Sequence, residues 1–119
     1  MENKKEQFLI NFNKAFARGD YQFLLDWVTE DFQWIMIGKK EIKGKDQFAE
    51  ALKEMKDYET SELEFVDVIT HGKKGCVNGN MKVKSPNGVS LSFSFCDVYE
   101  FSSFKNPKIL RMTSYVVDR

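Results

Sequence analysis

Asp97 is the residue of this chain best placed to do chemistry, because strand register predicts an acid standing on an otherwise apolar face. Ser85-Pro86-Asn87-Gly88 reads as a three-residue hairpin loop, with Pro86 at the first corner of a type I turn and Gly88 in the left-handed position that follows. Pairing Ser85 with Val89 then sets Val83 against Leu91, Met81 against Phe93, Gly79 against Phe95 and Val77 against Asp97, with Tyr99 further along the same side. The other side carries Lys84 with Ser90, Lys82 with Ser92, Asn80 with Ser94 and Asn78 with Cys96. A loop of even length mixes Lys with Leu and Phe on one face and is rejected. A bulge between Phe93 and Asp97 turns the carboxyl out to water, and that alternative stays open at this point. Held inward, Asp97 loses solvation, its pKa rises, and a neutral acid able to donate a hydrogen bond results. Acids of that kind belong to pockets.

The other reactive side chains are less promising. His71, the single histidine, lies in Thr70-His71-Gly72-Lys73-Lys74-Gly75, where an exposed hairpin turn is the simplest assignment. One His, two separated Cys and scattered carboxylates lack metal-ligand spacing, so no metal is expected. Ser90, Ser92, Ser94, Ser102 and Ser103 have no adjacent histidine or nucleophile-elbow glycines and read as strand-exterior and turn residues. Cys76 and Cys96 fall on the more polar sheet face as unactivated thiols. Lys39, Lys40, Lys43 and Lys45, interrupted by Glu41 and Asp46, read as a solvated edge.

These residues need one domain to position them. The length of 119 residues suits a single unit, 1–119, and 42% apolar residues with eleven Phe, four Tyr and two Trp supply a core. Eighteen basic residues balance eighteen acidic ones, so the field that attracts nucleic acid or anionic lipid is missing and neither partner is expected. No apolar run is long enough to span a membrane. Two cysteines and the lack of a charged start followed by an apolar stretch imply a reduced, cytoplasmic protein.

Phe8, Leu9, Phe12, Ala15 and Phe16 recur at three- and four-residue steps, predicting an amphipathic helix over 2–18 with Lys4, Lys5, Glu6, Asn13 and Lys14 on its polar side. Gly19 suits its termination, and Asp20 suits the cap of a short second helix bearing Phe23, Leu24, Trp27 and Val28. A first strand is expected over 32–37, a short returning strand over 39–43, and a third helix with Phe48, Ala51, Leu52 and Met55 on one face. After Asp57, alternation broken by turns predicts four long strands in hairpin order. Helices first and a meander afterwards imply an α+β fold with helices covering one sheet face.

Taken together, Gly19-Asp20, Glu30-Asp31-Phe32-Gln33-Trp34, Ile42-Lys43-Gly44-Lys45-Asp46, Asp97-Val98-Tyr99-Glu100-Phe101 and Lys108-Ile109 make the whole chain resemble the nuclear transport factor 2-like superfamily, in its SnoaL-like branch. That branch is related to ketosteroid isomerase, scytalone dehydratase and limonene epoxide hydrolase. The resemblance implies three helices packed on a strongly curved antiparallel sheet, a cystatin-like cone with an apolar pocket, and often a homodimer formed through the sheet's outer face. Of the isomerase's three working residues it carries over one: the oxyanion tyrosine falls at Phe12, the proton-shuttling aspartate at Met36, and the protonated aspartate at Asp97. A donor without a base implies no ketosteroid isomerase activity.

The resemblance further implies a cavity lined by Phe12, Trp34, Met36, Phe93, Phe95, Tyr99, Met112, Ser114 and Val116, with Asp97 against one polar atom of a mostly apolar organic ligand. As an enzyme such a protein acts without cofactor on a cyclic carbonyl compound, as an isomerase, cyclase or dehydratase. The alternative is a noncatalytic dimeric binding or protein-interaction module with a packed cone.

Overall fold

The computed structural model describes residues 4–119, so the expected helix start at Glu2 lies outside the described residues. These residues form three helices and six strands: α1 (Lys4–Arg18), α2 (Tyr21–Asp26), β1 (Val28–Met36), β2 (Lys40–Lys43), α3 (Lys45–Met55), β3 (Glu59–His71), β4 (Lys74–Lys84), β5 (Ser90–Phe101) and β6 (Ile109–Asp118).

The first helix buries Leu9, Phe12 and Ala15, and it stops where the sequence says it should. Gly19 takes φ 74° at no steric cost, its N–H reaches the Phe16 carbonyl, and the Asp20 N–H reaches that of Ala15, which satisfies two carbonyls at the helix end. The Asp20 carboxylate then accepts from the Phe23 N–H and starts α2. Two expectations fail nearby. Trp27 and Val28 are not helical: α2 ends at Asp26, and β1 begins at Val28, four residues before the expected Phe32. The β-branched pair Val28-Thr29 prefers extended backbone, and Val28 finds a partner in Ile109 while the Trp27 carbonyl accepts from the Ile109 N–H. Asn13, expected on the polar side of α1, is buried.

One sheet runs in the order β2-β1-β6-β5-β4-β3. Every neighbouring pair is antiparallel except β1 with β6, which run parallel, so the sheet is antiparallel-dominated rather than wholly antiparallel. The β4–β5 hairpin keeps the register expected of it, Val83 with Leu91 through Val77 with Asp97, without a bulge. Gly88 at φ 85° and the Ser85 N–H to Val89 carbonyl bond of 2.8 Å close the loop.

Irregularities that bend the sheet fall on β3 against β4 between Thr60 and Glu62 and again between Phe65 and Asp67, on β1 against β6 between Val28 and Gln33, and on β5 against β6 between Glu100 and Phe101. Opposite the shift between Phe65 and Asp67 stands Gly79, where a Cβ would overlap the Glu64 carbonyl oxygen, so only glycine permits this close approach. The helices cover one sheet face: α1 lies over β3 and β4, and α3 over β1 and β2. The core is aromatic. Phe12 meets Tyr99 edge-on at 6.1 Å between ring centroids, and Phe48 packs on Phe32 at 4.8 Å and on Trp34 at 5.8 Å. Each such fully buried ring contributes on the order of 2–3 kcal/mol.

Candidate functional site

Antiparallel pairing puts Asp97 of β5 directly opposite Ser114 of β6, on the face that the helices cover. Two hydroxyls serve the Asp97 carboxyl. Tyr99 Oη donates to Asp97 Oδ2 at 3.4 Å, and the Ser114 hydroxyl stands beside the carboxyl on the neighbouring strand, where it favours the anion. Each hydroxyl is itself held by a fixed donor. Trp34 Nε1–H donates to Ser114 Oγ at 2.9 Å, and Asn13 Nδ2 donates to Tyr99 Oη at 3.0 Å and to the Leu9 carbonyl at 2.8 Å.

Burial pushes the Asp97 pKa up to about 6, with the Ser114 and Tyr99 hydrogen bonds pulling the other way. The direction is that of the sequence expectation, but the extent is smaller: two donors stabilise the anion, so at pH 7 the carboxyl is mostly ionised rather than neutral. Tyr99 is fully buried, and desolvation together with the Asp97 charge holds its phenol well above the usual range.

Asp97 stands on the wall of a cavity of about 900 Å³ between the helices and the sheet. That volume lies within the usual range for small-molecule sites. Trp34, Met36, Phe93, Phe95, Met112, Ser114 and Val116 all reach this wall. Phe12 and Tyr99 do not. Both are 0% exposed and lie behind it, Phe12 because α1 turns that ring onto Tyr99, and Tyr99 because its hydroxyl is drawn to Asn13 and Asp97. Lys39, Lys40, Glu54, Asp118 and Arg119 edge the cavity and are exposed, with Lys40 and Glu54 paired at 3.8 Å.

Wall residues that sequence reasoning missed include Asn13, Phe16 and Tyr21 on the helical side and Met55 and Met81 further round the cavity. For Asn13 a signal existed: Leu9, Asn13 and Phe16 stand at i, i+4 and i+7, the spacing of one helix face. The remaining candidates stay apart from the site. His71 ends β3 opposite Lys74, exposed. Cys76 and Cys96 approach to 3.5 Å on the outer face, where burial and the neighbouring thiol push Cys76 up to about 11. Among the described residues no three His, Cys, Asp or Glu side chains converge as metal ligands, and no helix is long and apolar enough to cross a membrane.

Helices closed over one face of a curved sheet, with an acid on the inner wall, define an NTF2-like domain. Residues 9–112 match the model of the SnoaL-like domain, and the chain belongs to that family. The fold is shared with an NTF2-like protein of unknown function from Burkholderia pseudomallei, at a TM-score of 0.79 and 19% identity over 98% of this chain and 92% of that one. A ketosteroid isomerase-like protein from Erwinia carotovora atroseptica superposes at a TM-score of 0.73 with 18% identity, covering 93% and 92% of the two chains. An LEH-like epoxide hydrolase from M. tuberculosis gives a TM-score of 0.74 with 16% identity, covering 87% and 75%. At such identities the likeness establishes the fold. No curated protein matches the sequence at a significant level.

Proposed function

We propose that this SnoaL-like protein binds a mostly apolar organic molecule in its cavity and sets Asp97 against one polar atom of that ligand. The observation that carries the reading is the position of Asp97, an ionisable group on the wall of a cavity of about 900 Å³ whose other inner residues are largely aromatic or aliphatic. A core that merely packs has no use for a carboxyl there, since burying it costs free energy. The catalytic form of this reading is proton transfer on a cyclic carbonyl compound, by isomerisation, cyclisation or dehydration. Asp97 handles the proton and no cofactor is needed.

The test is a thermal-shift screen of cyclic apolar compounds against the wild-type chain and Asp97→Asn. A hit should raise the melting temperature of the wild type, and polar variants of that hit should discriminate between the two proteins. Hits that respond identically in both proteins would remove Asp97 from the site. For a hit that is also turned over, Asp97→Asn should slow the reaction by about a hundredfold or more.

The proposed homodimer has separate support. Val66, Ile69, Val98, Tyr115 and Val117 are exposed on the outer sheet face, the side opposite the cavity. Apolar residues clustered on one sheet face suit an interface with a second copy. This reading is compatible with ligand binding, and the occupied-cavity test above separates it from a purely structural module.

A further inference from the structure

We propose that the cavity's occupant is an apolar amine bound as its ammonium ion, with the nitrogen against Asp97; this rests on the reading of the cavity as a ligand site. The argument begins with the directions of the hydrogen bonds. The Leu9 carbonyl can only accept, so the Asn13 atom 2.8 Å from it is the amide nitrogen, and the same nitrogen donates to Tyr99 Oη. The Tyr99 oxygen therefore accepts from behind and sends its own hydrogen to Asp97. Indole nitrogen is likewise a donor only, so Ser114 Oγ, directly across the strand pair from Asp97, accepts from Trp34 and keeps its own hydrogen free for the carboxyl. Two fixed donors thus occupy an acceptor site on each hydroxyl, which leaves both hydroxyl hydrogens available to the carboxyl. What Asp97 has left for a ligand is acceptor capacity.

An acceptor can be met by a neutral hydroxyl or by a cation, and the surroundings favour the cation. Among the described residues no ion pair includes Asp97. The cationic side chains that edge the cavity, Lys39, Lys40 and Arg119, are exposed at its rim. A neutral occupant displaces water from a carboxylate and leaves its charge uncompensated, whereas an ammonium cancels that charge within the site. Trp34, Phe16, Phe93 and Phe95 add aromatic rings to the same wall, and aromatic rings attract cations in desolvated pockets.

The pH response separates the two ligand types because few groups near Asp97 titrate between pH 5 and 8. From β5 it faces Tyr99, from β4 the Cys76 thiol feels the Asp97 charge through the sheet, and Tyr21 of α2 shares the cavity wall; all three are raised and stay neutral in this range. The sides of α1, β1 and β6 contribute the uncharged Asn13, Trp34 and Ser114, and the rim adds Lys39, Lys40, Glu54, Asp118 and Arg119.

The test is calorimetric titration of the whole chain with 2-naphthylmethylamine and its neutral isostere 2-naphthylmethanol at pH 5 and 7.5, repeated with 9-anthracenylmethylamine and 9-anthracenemethanol. The amine should bind at least about tenfold more tightly than the alcohol at pH 7.5, and about tenfold more weakly at pH 5 than at pH 7.5 as Asp97 takes up its proton. Ser114→Ala, which removes one donor to the anion, should move the midpoint of that pH dependence upward, and Asp97→Asn should abolish it. Equal affinities for amine and alcohol at pH 7.5, or a tighter alcohol, would overturn the ammonium assignment while leaving the cavity a ligand site. Binding of none of the four probes would overturn both.

Discussion

Asn13 of α1 and Tyr99 of β5, 86 residues apart in sequence, are joined by a 3.0 Å hydrogen bond inside the core. The bond ties the first helix to the central part of the sheet and passes its polarity on to Asp97 through the Tyr99 hydroxyl. A side chain expected to face water thus closes one end of the polar network at the candidate site.

Replacing Asn13 by Ala removes the donor to both Tyr99 and the Leu9 carbonyl. The loss of a buried donor should cost about 1–3 kcal/mol, read from urea unfolding at neutral pH. A change within a few tenths of a kcal/mol would mean that the bond contributes nothing to the fold.

Stability should fall with rising pH because of Asp97. Burial raises its carboxyl from an ordinary value of 3.8 to about 6 in the folded chain. Between those limits the folded state holds the proton that the unfolded state has released, so the unfolding free energy decreases as pH climbs through the window. Asp97→Asn lacks this term: relative to wild type it should gain up to about 3 kcal/mol from pH 4 to pH 7. The weaker acceptor set of the amide is a cost independent of pH, so it offsets the whole profile of the variant and leaves this relative gain unchanged. Unfolding curves at pH 4, 5, 6 and 7.5 check the sign, and parallel profiles for the two proteins would place the carboxyl in solvent.

Gly79→Ala should be among the most damaging small substitutions. The added methyl overlaps the Glu64 carbonyl oxygen at the bend of β3, and the backbone on that side must shift. A loss of about 3 kcal/mol or more is expected in urea unfolding. Full tolerance would show that the curvature does not depend on this close approach.

The proposed homodimer predicts a solution mass twice the 13.9 kDa of the chain by sedimentation equilibrium. Val117→Lys, at an outer-face position that is 67% exposed, should return it to a monomer without loss of melting temperature in dilute solution. A wild-type chain that stays monomeric at about 100 μM would end the dimer reading.

No conversion of a 5-ene-3-ketosteroid is expected. That isomerisation needs a base to carry the proton between carbons, and at the corresponding place on the wall stands Met36. Turnover that disappears in Asp97→Asn would overturn this and show that one carboxyl suffices.

The inward direction of Asp97 was legible in the sequence because the Ser85–Gly88 loop sets pairing parity, and parity assigns every residue of two strands to a face. The helix limits at Gly19-Asp20 were legible for a similar local reason, since termination and capping involve neighbours in the chain. Val28 was misassigned because its partner, Ile109, lies 81 positions away, and a pattern read along the chain contains no trace of that pairing. The placement of Phe12 and Tyr99 behind the cavity wall was hidden for the same reason: lining and packing residues are equally apolar, and only the meeting of α1 with β5 decides which is which.

Local chemistry therefore determined the elements, their order and the face on which the acid stands. The tertiary structure decided the rest: that Tyr99 donates to Asp97 with Ser114 beside it, that Trp34 and Asn13 stand behind them, and that β1 joins β6 in parallel. Hydrogen-bond direction depends on which donors and acceptors are brought within about 3 Å of each other. Residues far apart in the chain reach that distance only when the sheet bends and the helices close over it.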